Sequence, residues 1–213
     1  FTPARDYKRL ADGDQGLNTG GMGAVASRSL IDSELLKQIE SDVIEPSVEG
    51  LIKDNLDFKG FLYAGLMLTK DGPKVLEYNC RFGDPEAQAV LPLIKGDFAA
   101  YLMSGAKGEL IDSLIDFDEG WSICLVLASA GYPNSSRNED LINGLDLIQD
   151  ARVYHAGTKK NSEGNYVTNG GRVLAVVGRG DTRESAVEHS YKEAEKINFD
   201  GNQRRSDIGR MHF

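Results

Sequence analysis

Apolar and polar positions alternate most sharply between Phe61 and Arg81, where "FLYAGLMLT" and "KVLEYNC" flank the short segment "KDGP". A period of two on both sides of an Asp-Gly pair predicts a β-hairpin. In its second strand Leu76, Tyr78 and Cys80 alternate with Glu77, Asn79 and Arg81. The spacing therefore predicts one apolar face and one face bearing an acid, an amide and a guanidinium. Upstream, "DSELLKQIESDVIEPSVEGLIKDN" places apolar residues at helical spacing behind a capping Asp or Ser, and Pro46 breaks or kinks the run into one helix or two in series. After the Gly83-Asp84-Pro85 turn, "EAQAVLPLI" predicts a helix with Asp84 as cap and Pro85 at its first position, so that the polar strand face ends at backbone N–H groups that favour anions.

From Asp97 the pattern predicts a short amphipathic helix, "DFAAYLMSGAKG", and a buried strand, "WSICLVLAS". Strands around "DARVYHAG" and "GRVLAVVGRG" follow, and "TRESAVEHSYKEAEKI" closes as a helix with Thr182 as cap and a Glu of its first turn completing a capping box. This second region, 97–213, reads as a small α+β domain behind a first region spanning 1–96. In contrast, "RDYKRLADGDQGLNTGGMGA" is polar and Gly-rich without a sustained period, and it reads as a long functional loop.

Composition narrows the classes. A chain of 213 residues, 40% hydrophobic and 27% charged, has room for one large domain or two small ones. A formal net charge of -9 opposes general binding to a phosphate backbone, so nucleic acid is not an expected partner. The two cysteines, Cys80 and Cys124, lie far apart in apolar runs. They suggest core positions rather than a disulfide framework or a zinc site, in a reducing, cytoplasmic setting. The apolar runs are too short to span a bilayer, so no membrane partner is expected. The chain opens on Phe1 in loop-like sequence, which suggests residues upstream.

A carboxylate and an amide oxygen two residues apart on a strand project the same way and form a hard donor set suited to Mg²⁺ carrying nucleotide phosphates. Arg81, next on that face, could clamp a transferring phosphoryl group. The same spacing also fits a solvent-facing strand edge, and both readings stay open at this point. In "NTGGMG", Asn18 to Gly23, closely spaced glycines let a backbone approach a phosphate or adopt positive φ, or simply form a surface turn. The Gly-Lys-Ser/Thr ending of a P-loop is missing. His155 and Arg172 could help close a site or be structural, whereas His189 and His212 read as surface residues.

Taken together, "DYKRLADGDQGLNTGGMGA", "GLMLTKDGPKVLEYNCRFGDPEAQAVLP", "VYHAGTK" and "VTNGGRVLAVVGRG" closely resemble the phosphoribosylamine-glycine ligase family of the ATP-grasp superfamily, in order and through nearly the whole chain. The resemblance implies an α+β fold: the second half of an ATP-grasp domain over 1–96, then the C-terminal domain of the ligase over 97–213. It implies use of ATP to join glycine to 5-phosphoribosylamine, giving glycinamide ribonucleotide, ADP and phosphate through a glycyl phosphate, in purine biosynthesis. By the same resemblance Glu77 and Asn79 bind Mg²⁺ (or Mn²⁺) and thereby ATP, and Arg81 steadies phosphoryl oxygens. Asp6 and Lys8, with Asn18, Thr19, Gly20, Gly21, Met22 and Gly23, resemble the substrate-side loops, and Asp84 and Glu86 the polar groups flanking them.

Two departures stand out. Tyr7 occupies a position where the family usually has His, and the tail keeps Asp207-Ile208-Gly209 but has Gln203 or Arg204 where an aromatic is expected. The family's nucleotide-like domain and the first half of its grasp fold are missing, so the N-terminal half of the enzyme is an expected partner. A ligase for another carboxylate, or an inert assembly module of a multifunctional purine-synthesis protein, are the alternative readings.

Overall fold

The run Trp121–Ala128 is buried from Ser122 to Ala128, and Arg172–Gly180 is buried from Val173 to Gly178. Apolar runs of this length with β-branched residues become central strands because both faces must be covered. The computed structural model describes residues 1–210, so His212 lies outside the described residues. In chain order the elements are β1 (Ala4–Asp6), β2 (Arg9–Ala11), β3 (Gln15–Asn18), β4 (Gly23–Ala26), α1 (Ser33–Ile39), α2 (Glu45–Lys53), β5 (Tyr63–Thr69), β6 (Gly72–Asn79) and α3 (Glu86–Val90). Then follow β7 (Ile94–Gly96), α4 (Phe98–Lys107), β8 (Ile115–Phe117), β9 (Trp121–Ala128), β10 (Ala151–His155), β11 (Thr158–Lys160), β12 (Tyr166–Thr168), β13 (Arg172–Gly180) and α5 (Arg183–Ala194). No helix among the described residues is long and apolar enough to cross a membrane.

Of the described residues, 1–28, 84–93 and 119–210 form one compact unit. Its sheet has the order β1-β4-β9-β13-β10, with every neighbouring pair antiparallel. Helix α5 packs on β13 and β9, and α3 packs on β4, β9 and β1. Ser190 of α5 locks the first contact: its hydroxyl accepts the Gly178 N–H at 3.0 Å, and its one proton is shared between the Ile123 carbonyl at 3.0 Å and the Ala186 carbonyl of its own helix at 2.8 Å. Thr182 caps α5 as expected, but the capping box is closed by Ser185, because Glu184 stands one position too early to reach back.

The first segment differs from the loop expectation. Asp6 and Gly23 each belong to a strand, and β4, "GAVA", is buried at all four positions between β1 and β9. Gly and Ala carry weak strand propensity, so its identity comes from pairing with β9 rather than from its own pattern. Helix α3 is also shorter than expected, and Pro85 rather than Asp84 is its N-cap, with no side-chain cap bond. Asp84 turns its carboxylate elsewhere, to Gln88 Nε2 at 2.9 Å and to Arg172.

Residues 29–83 and 94–118 form the second compact unit. The division by compactness is thus interleaved along the chain. Asp32 caps α1 by accepting the Leu35 N–H, and a π-helical turn, Glu40–Ile44, carries the chain into α2 around Pro46, which lacks the N–H an unbroken α-helix would use. The predicted hairpin is β5–β6, with Leu76 bulged out of the ladder between Val75 and Glu77. Its supposed apolar face is not buried: Leu76 is 64% and Tyr78 47% exposed, and Cys80 is exposed rather than in the core. α1 and the π-helical turn meet β6, and Ser47 of α2 reaches the Tyr78 hydroxyl at 2.6 Å, yet they leave this face largely open, whereas Cys124 sits at 0% exposure inside β9.

The C-terminal tail is pinned to the first unit by charge. The Arg205 side chain is fully buried and pairs with Asp207 at 2.7 Å and Asp14 at 2.8 Å, with the Arg9 carbonyl accepting at 3.1 Å. Burial alone would lower its pKa, but Asp207 and Asp14 more than offset this and keep the guanidinium charged. Burial likewise pushes Asp207 up, yet Arg205 and the Gly13 N–H bring it down to about 2 from the ordinary 3.8. A carboxyl depressed on folding contributes stability that is present above about pH 4 and lost as pH falls through about 2, here roughly 2 kcal/mol. Urea unfolding between pH 2 and 7 should show this loss in the parent. Asp207→Asn should remove the pH-dependent part and cost about 3 kcal/mol at pH 7 by stripping a partner from a buried charge; parallel curves for the two proteins would dissolve this latch.

Candidate functional site

In the first unit, β1 ends at Asp6 and the chain turns through Tyr7 and Lys8. Tyr7, the departure from His, is 1% exposed, has the Arg5 and Arg205 guanidinium carbons each 5.0 Å from its ring centroid, and accepts the Gly209 N–H through its hydroxyl at 3.2 Å. The kept Asp-Ile-Gly of the tail therefore anchors the β1 end. Gln203, in place of an aromatic, donates from Nε2 to the Ser129 carbonyl at 2.6 Å, and Arg204 Nη1 donates to the Ala194 carbonyl at 2.8 Å.

The glycine loop is bonded to the protein itself. The Thr19 N–H and hydroxyl both donate to the Lys8 carbonyl at 2.8 Å, Gly20 N–H donates to Tyr132 Oη at 2.8 Å, Gly21 N–H to Thr19 Oγ1 at 2.9 Å, and Met22 N–H to the Tyr7 carbonyl at 2.8 Å. All four amides from Thr19 through Met22 therefore donate within the protein, and Gly21 takes the positive φ that the glycine spacing allows. Asn18 is exposed at the end of β3, Met22 is 1% exposed in the core, and Gly23 opens β4. Gly21 is required sterically: its φ is +116°, and a Cβ there would lie 2.4 Å from Pro85 Cδ and 2.8 Å from Asp6 Oδ1. This contact brings the loop, Asp6 and the Asp84–Glu86 segment together.

Asp6 is the electrostatically unusual member. Its side chain is only 10% exposed, Lys8 Nζ lies 2.5 Å from Oδ2, and Oδ1 has no hydrogen-bond donor among the described residues. Burial, and then the charge of the 4%-exposed Glu86, push the Asp6 carboxyl up to about 6 in spite of Lys8. Desolvation together with a like charge is a combination found at functional sites and in structural charge clusters alike. Nearby, a cleft of about 200 Å³ is lined by Asp84, Gln88, Ala156 and Arg172 among others, and Gln88 Oε1 is buried without a donor.

In the second unit, Glu77 and Asn79 do share a face of β6. Asn79 Nδ2 donates to Glu77 Oε1 at 3.2 Å, so the carboxylate and the amide are adjacent. Rotation of the Asn79 amide would present its oxygen beside the carboxylate, and this donor set suits a hard cation that keeps water and phosphate ligands. Arg81 does not continue the row: it lies past the end of β6, exposed, with Nη1 donating to the Phe82 carbonyl at 2.8 Å. Among the described residues, no group of three or more His, Cys, Asp and Glu is arranged to hold a metal.

His155 is exposed, with Nδ1 2.9 Å from Thr158 Oγ1 and its ring 4.6 Å from that of Tyr166, and His189 is half-buried with Nδ1 donating to the Arg179 carbonyl at 2.7 Å. Burial drives the Cys124 thiol far up, which leaves it unreactive. Two residues of the site carried little sequence signal. Tyr132 lies in "GYP", which signals no more than a turn, and the motif around Arg172 fits a structural role as well as a site; both reach the glycine loop.

Residues 1–87 match the ATP-grasp (A) domain and residues 122–211 the C domain of phosphoribosylglycinamide synthetase. A phosphoribosylamine-glycine ligase of Caldanaerobacter subterraneus subsp. tengcongensis is 46% identical over 96% of this chain and 49% of its own length. The trifunctional purine biosynthetic protein adenosine-3 of Chironomus tentans is 42% identical over 99% of this chain and 16% of its own. A crystal structure of phosphoribosylamine-glycine ligase from Thermotoga maritima superposes with a TM-score of 0.85 at 38% identity, covering 96% of this chain and 50% of that one. The chain spans about half the length of the ligases it matches.

The raised Asp6 carboxyl has a testable consequence. An acid whose pKa rises on folding contributes stability that is present below about pH 4 and lost as pH climbs through about 6, on the order of 2 kcal/mol. Asp6→Asn should flatten the urea-unfolding profile between pH 4 and 6.5 and be at least as stable as the parent at pH 7.5. A variant with the parent's slope would return Asp6 to an ordinary carboxyl.

Proposed function

The chain belongs to the phosphoribosylglycinamide synthetase family, and on that premise we propose that it is the C-terminal half of an ATP-dependent ligase joining glycine to 5-phosphoribosylamine. The products are glycinamide ribonucleotide, ADP and phosphate, with glycyl phosphate as intermediate. In this reading 1–96 completes an ATP-grasp domain, 97–213 is the ligase's C-terminal domain, the N-terminal half of the enzyme is its partner, and the setting is cytoplasmic. The observation that carries it is the Glu77–Asn79 pair, adjacent on one face of β6, in a chain matched by both family domains.

Glu77 and Asn79 would hold Mg²⁺ or Mn²⁺, which neutralises phosphate charge of ATP when bound. Arg81 spends one N–H on the Phe82 carbonyl, and its remaining fork is suited to phosphoryl oxygens. Asp6 is the buried carboxyl beside the glycine loop whose pKa is pushed up to about 6, so its charge responds to a proton or cation brought to that loop. Lys8 and Glu86 set its charge, while Thr19 to Gly23 form the wall that seats it and Asn18 and Asp84 stand at the edges. No side chain is required as a covalent nucleophile.

The test is ADP formation by the enzyme with its upstream half restored, given Mg²⁺-ATP, glycine and phosphoribosylamine generated in the tube. ADP that requires both substrates is expected, and its absence would sink the ligase reading. Glu77→Gln should raise the Mg²⁺ concentration for half-maximal rate about tenfold, and an unchanged requirement would remove Glu77 from the metal site. Arg81→Lys should lower turnover about tenfold or more with an unchanged unfolding midpoint, because charge is kept and the planar fork is lost. Equal turnover would end the clamp role.

A further inference from the structure

Gly20 is gripped at both of its backbone polar groups by side chains that arrive from distant sequence. Its N–H donates to the Tyr132 hydroxyl at 2.8 Å, and its carbonyl accepts from Arg172 Nη1 at 2.8 Å. The same Nη1 donates to the Asp84 carbonyl at 2.9 Å, while Nη2 pairs with Asp84 Oδ2 at 3.1 Å. One guanidinium thus bridges the loop that follows Lys8 and the segment that leads into Glu86. A planar fork can divide its donors between two segments in fixed directions, which a Lys ammonium cannot reproduce.

Tyr132 and Arg172 are also coupled to each other. Gly171 precedes Arg172, and a Cβ there would lie 2.4 Å from Tyr132 Cδ2, so the tyrosine ring seats directly on that backbone. Only 23% of the Arg172 side chain is exposed, which shields its bonds from competing water. Beside the clamped pair, Gly21 touches both Pro85 and Asp6 Oδ1. Any slippage of Gly20 relative to Asp84 therefore moves the contact that seats Asp6.

We propose that Arg172, together with Tyr132, is a positioning residue for the ligase reaction: the two fix the glycine loop against the Asp84–Glu86 segment and thereby hold Asp6 in its working place. The proposal rests on the ligase reading above. A merely structural pair would affect unfolding and leave turnover per folded molecule unchanged. A positioning pair affects the local order of the loop and the rate, and leaves the central sheet as it was.

The experiment uses the enzyme with its upstream half restored and the variants Tyr132→Phe, Arg172→Lys and Arg172→Ala. Tyr132→Phe removes one acceptor and keeps the ring, so it remains informative if Arg172→Ala does not fold. Hydrogen exchange at the Gly20 and Gly21 amides should speed at least tenfold in Tyr132→Phe and Arg172→Lys, with β9 and β13 unchanged. The ratio kcat/KM for ADP formation should fall at least tenfold in both, and further in Arg172→Ala. Unchanged exchange, or faster exchange with kcat/KM within twofold of the parent, would overturn the proposal. A parent that forms no substrate-dependent ADP would overturn the ligase reading and this role with it, whereas an active parent with equally active variants would overturn this role alone.

Discussion

Everything in the first unit depends on β4 lying antiparallel beside β9, because that pairing sets Ala24 opposite Cys124 and draws the start of the chain into a sheet built mostly from its end. Such a pairing closes a long loop, an entropic cost that rises slowly with length and is offset by burial of β4 on all sides. Once β4 is fixed, β1 pairs with it and α3 packs across both. Asp6, the glycine loop and Glu86 then have no freedom left to choose their neighbours.

The parts of this arrangement that were legible in sequence are those whose pattern is local. The β5–β6 hairpin announces itself through an Asp-Gly turn, β9 and β13 through long apolar runs, and α5 through Thr182 and its helical spacing. The Glu77–Asn79 pair was visible because two residues of strand fix two side chains on one side. Strands β1 to β4 were hidden because they are three or four residues long and rich in Gly, Ala and charge, so their identity lies in partners far away in the chain. The exposure of Cys80 and the reach of Tyr132 and Arg172 into the loop are likewise tertiary facts, which periodicity does not encode.

Two buried charge systems in the same unit illustrate opposite uses of desolvation. Arg205 is surrounded by Asp14, Asp207 and a backbone carbonyl, and its charge is compensated on every side, so it serves as a fastening for the tail. Asp6 is compensated on one oxygen only and has a like charge nearby, so its ionised form is kept at a cost that the surrounding packing must carry. The first arrangement adds to the stability that the second draws upon.

Gly21 carries a different lesson, about how motifs persist. Its positive φ and its approach to Pro85 exclude any side chain for reasons of packing, with all the neighbouring amides already bonded inside the protein. A descendant of this sequence that had lost every trace of turnover would still be obliged to retain that glycine as long as it kept the sheet. The "NTGGMG" signature is therefore a marker of ancestry and architecture, and in a survey of genomes it would flag inactive paralogues as readily as working enzymes.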